Sequence, residues 1–233
     1  MTFGKAKLIY LGHVVGDGKV SPVSSKVKTI SELKAPTCRK QIQRFLGMCG
    51  FYRKFCPNFS MIAAPLTDLV SPKKKFVWTD NCQEAFEKLK SLLMSEPVLQ
   101  MPNLKLPFVL QVDASDSGVG GVLMQKSDDD ILHPVTYFSA KLKSHQKTYS
   151  TIEKEALALL MALDKFAVYL DHAGPKIIVY SDHNPLKFIN SMKNKNSRLT
   201  RWALALQPYN LKIRHIPGKE NAVADFLSRC PDK

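Results

Sequence analysis

Phe108-Val-Leu-Gln-Val-Asp113-Ala-Ser-Asp-Ser-Gly118-Val-Gly-Gly-Val-Leu-Met-Gln125 carries the clearest strand pattern of the chain. An apolar run ends on an aspartate, small residues follow, and a second apolar run begins at Val119. That pattern predicts two adjacent strands. Downstream, Asp128-Asp129-Asp130 marks a turn and Val135 to Ser139 a third strand. A long helix is expected from Thr151 to Leu170, a fourth strand from Ile177 to Ser181 and a helix from Arg198 to Ala205. Leu211 to Ile216 reads as a fifth strand and Ala222 to Ser228 as a last helix. Three meandering strands followed by alternating helix and strand define an α/β domain, a mixed five-stranded sheet flanked by helices.

Four acids in this half sit where apolar residues are expected. Asp113 closes the first strand and Asp182 closes the fourth. Ligand sites of open α/β sheets gather at the carboxyl ends of strands, although Asp after a strand also commonly starts a turn. Ser150-Thr-Ile-Glu153 has capping-box spacing, which uses Glu153 at the start of the long helix. Glu155 has no such use: in helical steps it heads a face shared with Leu159, Ala162, Leu163 and Phe166. Asp225 similarly lies among Ala222, Val223, Ala224, Phe226 and Leu227. Carboxylates that converge repel one another, and a divalent cation reverses that cost. An all-oxygen ligand set suits Mg²⁺ or Mn²⁺ rather than zinc. Two such ions clamp the attacking and leaving oxygens in phosphodiester cleavage.

The first hundred residues read differently. Residues 7–22 form a hairpin turning at Gly16-Asp17-Gly18, with helices predicted over Ser24–Leu33, after a Thr37 cap, over Ser60–Val70 and over Cys82–Ser95. Lys73-Lys74-Lys75 marks a loop, and Pro97 to Pro107, with three prolines, reads as a linker. Arg39, Lys40, Arg44, Arg53 and Lys54 are interleaved with Phe51, Tyr52, Phe55 and Phe59. Basic residues mixed with aromatics suit a nucleic-acid backbone, and equally a core helix with a solvated basic face.

The whole 233-residue chain carries 34 Lys+Arg against 20 Asp+Glu, net +14, which points to a polyanionic partner. Residues 1–100 hold 16 Lys+Arg and 7 Asp+Glu, or +9; residues 101–233 hold 18 and 13, or +5. With 45% hydrophobic residues the composition is that of a globular protein. Apolar runs are too short and too interrupted by charge to span a bilayer, and the N-terminus lacks the apolar core of a signal peptide. Cys38, Cys49, Cys56, Cys82 and Cys230 are odd in number with no CxxC pair, so buried free thiols in a reducing compartment are expected. The expected location is therefore intracellular, in a cytoplasmic particle or the nucleus, and not secreted.

Several of these segments together resemble a known family. Val112-Asp113-Ala114-Ser115 with Gly118, Gly120 and Gly121, then Tyr137-Phe138-Ser139, Glu153-Lys154-Glu155-Ala156-Leu157-Ala158, Ser181-Asp182-His183 and Pro217-Gly218-Lys219-Glu220-Asn221-Ala222-Val223-Ala224-Asp225 closely resemble the ribonuclease H domain of gypsy-type LTR retrotransposon polyproteins. Tyr10-Leu11-Gly12-His13 looks like the end of a reverse-transcriptase palm near the primer grip. Gln43 to Phe55 looks like the thumb, and Trp78 to Pro97 like the connection. The resemblance implies a palm remnant over 1–22, a mainly helical thumb and connection segment over 23–100, and a ribonuclease H domain over 105–230.

The resemblance further implies that Asp113, Glu155, Asp182 and Asp225 hold two Mg²⁺ or Mn²⁺ ions, with Asp113 bridging both. The implied reaction is endonucleolytic cleavage of the RNA strand of an RNA–DNA hybrid, in line, leaving 3′-hydroxyl and 5′-phosphate ends; the 2′-hydroxyl marks the RNA strand. His215, ten residues before Asp225, matches a histidine that assists product release or proton transfer; a surface histidine at a strand end is the plain alternative. The glycines after Asp113 would let backbone approach a minor groove, or mark a strand turn. No Tyr-x-Asp-Asp occurs, so polymerase chemistry, which belongs to the parent polyprotein, is not expected of this chain, which looks like a C-terminal piece of a reverse transcriptase. The partner is an RNA–DNA hybrid and not a membrane, and both a dimer and a larger polyprotein context are compatible. The alternative reading is a catalytically silent or co-opted nucleic-acid-binding remnant of a retrotransposon polyprotein.

Overall fold

The structure, a computed structural model, describes residues 6–72, 75–95, 98–127, 130–170, 174–182 and 197–229. Lys73, Lys74, Pro97, Asp128, Asp129, His183 and Cys230 lie outside the described residues. The chain forms two compact units, Met1–Met101 and Pro102–Lys233.

In the first unit, strands β1 (Lys7–Tyr10), β2 (His13–Gly16) and β3 (Lys19–Pro22) lead into helices α1 (Ser24–Ser31), α2 (Arg39–Phe51), α3 (Phe59–Ile62), α4 (Ala64–Val70) and α5 (Asp80–Met94). A short strand β4 (Leu99–Gln100) completes an antiparallel sheet in the order β1-β2-β3-β4. The expected hairpin is thus a three-stranded meander. Its first turn, Leu11-Gly12, has φ of 45° and 80°, and the Tyr52 hydroxyl donates to Gly12 O at 3.1 Å. Leucine carries no turn signature, so this corner depends on the adjacent glycine and on a distant tyrosine. The second turn, Asp17-Gly18, also has positive φ at both residues, which suits a two-residue hairpin.

Two helix expectations and the linker expectation change. Thr37 does not cap α2: Cys38 is the N-cap, while the Thr37 N–H and hydroxyl donate to Gln41 Oε1 at 2.7 and 3.1 Å. The Ser60–Val70 helix divides at Ala63, where Pro65 at the start of α4 has no N–H to continue an earlier helix. The Pro97–Pro107 linker is partly sheet, because Leu99 and Gln100 pair with Val20 and Lys19. The core of this unit includes Ile42, Phe45, Cys49, Phe86, Leu89 and Leu93. Cys49, Cys56 and Cys82 are buried and free, but Cys38 is exposed, contrary to expectation, because it lies outside the apolar face of α2.

In the second unit, β5 (Phe108–Ala114), β6 (Gly118–Lys126), β7 (Leu132–Lys141), β8 (Ile177–Ser181) and β9 (Leu211–His215) form one sheet in the order β7-β6-β5-β8-β9. The first three are antiparallel; β5, β8 and β9 are parallel. Helices α6 (Ser144–Lys147), α7 (Thr151–Phe166), α8 (Ser197–Leu206) and α9 (Ala222–Ser228) accompany it. α7 stops at Phe166 rather than Leu170, since from Ala167 the chain tightens into i→i+3 bonds such as Tyr169 N–H to Phe166 O at 2.8 Å.

Successive strand residues face opposite sides of a sheet. Phe108, Leu110 and Val112 pack with Ala158, Leu159 and Ala162 of α7, while Val109 packs with Val122 and Leu227, the last from α9. Gly120 and Gly121 serve these two faces. A Cβ on Gly120 would lie 2.4 Å from Leu227 C, and one on Gly121 would lie 3.4 Å from Ala162 Cβ. Both glycines are buried within β6, so they admit helices rather than a minor groove, and neither makes a turn. No helix among the described residues is long and apolar enough to cross a membrane.

Candidate metal centre

The parallel pairing of β5 and β8 builds the site. Gln111 pairs with Tyr180, so two residues further along both strands come Asp113 and Asp182, at the same end of the sheet. Glu155 enters from the first turns of α7, where the Ala114 N–H donates to its Oε1 at 3.2 Å. One carboxylate oxygen from each of Asp113, Glu155 and Asp182 lies within 4.8 Å of the others. Asp113 and Glu155 are buried, 4% and 3% exposed, and Asp182 is half-buried.

Burial pushes Glu155 up to about 8, and the charges of Asp113 and Asp182 push the same way; the Ala114 N–H and the Ser181 hydroxyl offset them only in part. Burial likewise raises Asp113 to about 6, against a lowering by the Ser228 hydroxyl and with Asp182 and Asp225 adding to the rise. The Oε2 of Glu155 is buried with no partner in hydrogen-bonding geometry. Such a buried, all-oxygen set with an unmatched carboxylate oxygen fits a hard divalent cation of the Mg²⁺ or Mn²⁺ kind.

Asp225 stands beside this trio rather than in it. Its Oδ1 accepts from Arg229 Nε at 2.6 Å, while its charge still raises Asp113. His215 ends β9, exposed, paired in register with Ser181 immediately before Asp182. Glu153 does cap α7, taking the Ser150 N–H at 2.9 Å, and it also pairs with Arg198 at 2.7 Å.

The basic set is divided by the structure. Lys40 and Arg44 are exposed on α2. Arg53, exposed as well, has its guanidinium over the Phe59 ring at 5.5 Å and donates to Ser60 Oγ, and the half-buried Lys54 lies over Phe55 at 5.1 Å with its pKa lowered by burial. Arg39 is half-buried at the start of α2.

Several residues at the site carried no sequence signal as site residues. Ser228 donates its hydroxyl to Asp113 Oδ2, and Asn221 Nδ2 donates to Val112 O at 3.1 Å. Lys154, wedged between the two glutamates, pairs with Asp116 at 2.6 Å. Gly218 approaches Asp182 so closely that a Cβ there would lie 3.2 Å from its Oδ2.

Residues 103–209 match the model of the RNase H-like domain found in reverse transcriptase, a span holding Asp113, Glu155 and Asp182 but ending before His215 and Asp225. With the sheet order and the acid cluster, this match defines the class of the second unit: residues 103–209 are an RNase H-like domain of the kind found in reverse transcriptase. The chain's homologues are Pol polyproteins of LTR retrotransposons. It is 42% identical to the retrovirus-related Pol polyprotein from transposon 297 of Drosophila melanogaster, over 97% of this chain and 21% of that relative. It is 39% identical to the polyprotein from transposon opus of the same organism, over 95% of this chain and 23% of the relative. The Transposon Tf2-3 polyprotein of Schizosaccharomyces pombe is 35% identical over 99% of the chain and 18% of the relative. The chain thus spans about a fifth of the length of these curated relatives.

Among solved structures, the foamy viral protease-reverse transcriptase in complex with RNA/DNA hybrid superposes with a TM-score of 0.77 at 22% identity, over 98% of this chain and 31% of that one. The same protein in complex with dsDNA has a TM-score of 0.76 at 22% identity, over 91% and 45%. These likenesses extend the shared fold over nearly the whole chain.

Proposed function

We propose that the second unit is a ribonuclease H-type endonuclease that cleaves the RNA strand of RNA–DNA hybrids with two divalent ions, as part of a gypsy-type retrotransposon reverse transcriptase. The observation that carries this reading is the meeting of Asp113, Glu155 and Asp182 at the carboxyl ends of two parallel strands, with Glu155 Oε2 buried and unmatched. Mg²⁺ or Mn²⁺ bound there supplies charge neutralisation and Lewis acidity at the scissile phosphate and at the attacking water.

The chain's own residues do the rest. Asp113, on the central strand of the sheet, would hold the ions together with Glu155 and Asp182. Asp225, whose Oδ1 accepts from Arg229, would add a fourth carboxylate beside them. His215, exposed beside Asp182, trades a proton between solvent and the departing 3′ oxygen. The first unit, holding a palm remnant over 1–22 and a thumb and connection over 23–100, presents Lys40 and Arg44 to the hybrid backbone. A hybrid substrate accords with the RNA/DNA complex of the foamy viral relative. Such a protein works inside the cell, in a cytoplasmic particle or the nucleus, as part of a longer polyprotein.

The test is cleavage of a hybrid labelled on its RNA strand, by wild type and by Asp113→Asn, with and without EDTA. Cutting that requires Asp113 and a divalent ion supports the reading. Folded wild type that binds hybrid and never cuts it overturns the reading in favour of a silent nucleic-acid-binding remnant.

A further inference from the structure

Ser228, the last residue of α9, is 0% exposed, and its hydroxyl donates to Asp113 Oδ2. A serine in a final helical turn ordinarily turns its hydroxyl back to the carbonyl one turn earlier. That carbonyl, Asp225 O, is indeed 2.9 Å from Ser228 Oγ. The hydroxyl has a single proton, however, and a carboxylate is the stronger acceptor. Ser228 is in turn fixed through its own carbonyl, which accepts from Ser115 Oγ at 2.6 Å. Ser115 Oγ is itself held by the N–H groups of Gly118 at 3.0 Å and Ser117 at 3.2 Å, in the turn that follows Asp113.

The backbone at Leu227 and Ser228 also lies flush on Gly120, the β6 partner of Asp113, where a Cβ would come within 2.7 Å of Ser228 N. The helix that bears Asp225 is therefore seated on Asp113 itself, and Ser228 is the hydrogen bond that joins the two.

We infer that Ser228 is a positioning residue of the metal centre: its hydroxyl orients the Asp113 carboxylate and couples the seating of α9 to the affinity of the acid cluster for divalent ions. The inference rests on the reading of that cluster as a metal site. Ser228 touches neither ion nor substrate. It acts by removing the rotational freedom of Asp113, so that less ordering is left to be done when an ion arrives. Loss of such an outer partner weakens metal affinity by about 10- to 100-fold.

The experiment is isothermal titration calorimetry of the full chain with Mn²⁺ alone and with Mg²⁺ alone, comparing wild type, Ser228→Ala, Ser228→Cys and Ser228→Thr, with circular dichroism to establish folding. Ala and Cys variants that are folded and bind either ion about 10- to 100-fold more weakly, with affinity regained in the Thr variant, support the inference. Ala and Cys variants that bind like wild type overturn it, as does a wild type that takes up neither ion. Where the Ala variant fails to fold, the Cys variant, equal in shape but poor as a donor, carries the same two outcomes. In hybrid cleavage, the metal concentration at half-maximal rate rises while kcat at saturating metal stays near wild type, a split that a loss of packing alone does not produce. Wild type that binds metal but never cuts refutes the nuclease reading and leaves the calorimetric comparison standing.

Discussion

In the first unit Arg53 and Lys54 lie over phenylalanine rings at 5.5 and 5.1 Å; in the second, Asp113 and Glu155 are buried with their charges facing one another. Both arrangements set charge against apolar surface, and they differ because the side chains do. The Arg53 guanidinium and the Lys54 ammonium themselves lie over the rings, and a ring face is an electrostatic partner for a cation. A short carboxylate cannot reach out, so burial raises its pKa until a cation or a proton neutralises it. A basic group beside an aromatic is therefore consistent with ordinary packing, whereas converging buried acids call for a ligand.

The sharpest way to break that contrast is Asp113→Asn. Cleavage of hybrid falls by at least about 1,000-fold in a gel assay, the scale of losing a principal catalytic group. The metal-free protein moves the other way. An acid whose folded pKa lies above its unfolded value favours the fold below the unfolded pKa, and that stability is lost as pH rises through the folded pKa. For Asp113 at about 6 and Glu155 at about 8, the loss extends from about pH 4 to above pH 8. Calorimetric melting without metal is thus higher at pH 5 than at pH 8, and Mg²⁺ at pH 8 recovers the difference. Asp113→Asn at pH 8 relieves about 3 kcal/mol, a rise of several degrees. A metal-free protein whose melting temperature rises over that pH range breaks the contrast.

A smaller effect tests the seat of α9. Gly120→Ala places a Cβ against the backbone of Leu227 and Ser228, at a cost of about 1–3 kcal/mol in chemical denaturation. Gly121→Ala meets its nearest atom, Gln111 O, at 3.3 Å and costs less. Equal losses at the two glycines would show that α9 is not closely seated there.

These tests also mark what the sequence makes legible. The strands and the odd placement of Asp113, Glu155 and Asp182 follow from periodicity, because each acid interrupts an apolar pattern of known period. The joining of Ser228 to Asp113 spans 115 residues, and a serine at a helix end violates no pattern. Gly120 and Gly121 are visible as glycines, but only the packed helices show that each makes room for a different face. The Leu11-Gly12 turn stays hidden for the same reason: its support, Tyr52, is 40 residues away. Local periodicity is written in neighbouring residues, whereas a hydrogen bond between distant elements leaves no local trace.

The smallest expected effect separates the basic residues from one another. Lys40 and Arg44 are exposed, so replacing both with Ala leaves thermal melting almost unchanged. It weakens hybrid binding, and the slope of log affinity against log salt becomes shallower by about 2, one for each phosphate left without its cation. Arg53 is exposed as well but lies over a ring, and Arg53→Ala has the opposite profile. It forfeits the stacking on Phe59 and the hydrogen bond to Ser60, about 0.5–1 kcal/mol of stability, while the salt slope barely moves. The two measurements are fluorescence-anisotropy salt titrations and denaturant melts on the same proteins. If Arg53→Ala flattens the salt slope as much as the double variant, stacking on a ring does not withdraw a cation from nucleic acid, and the division of the basic set by its packing falls.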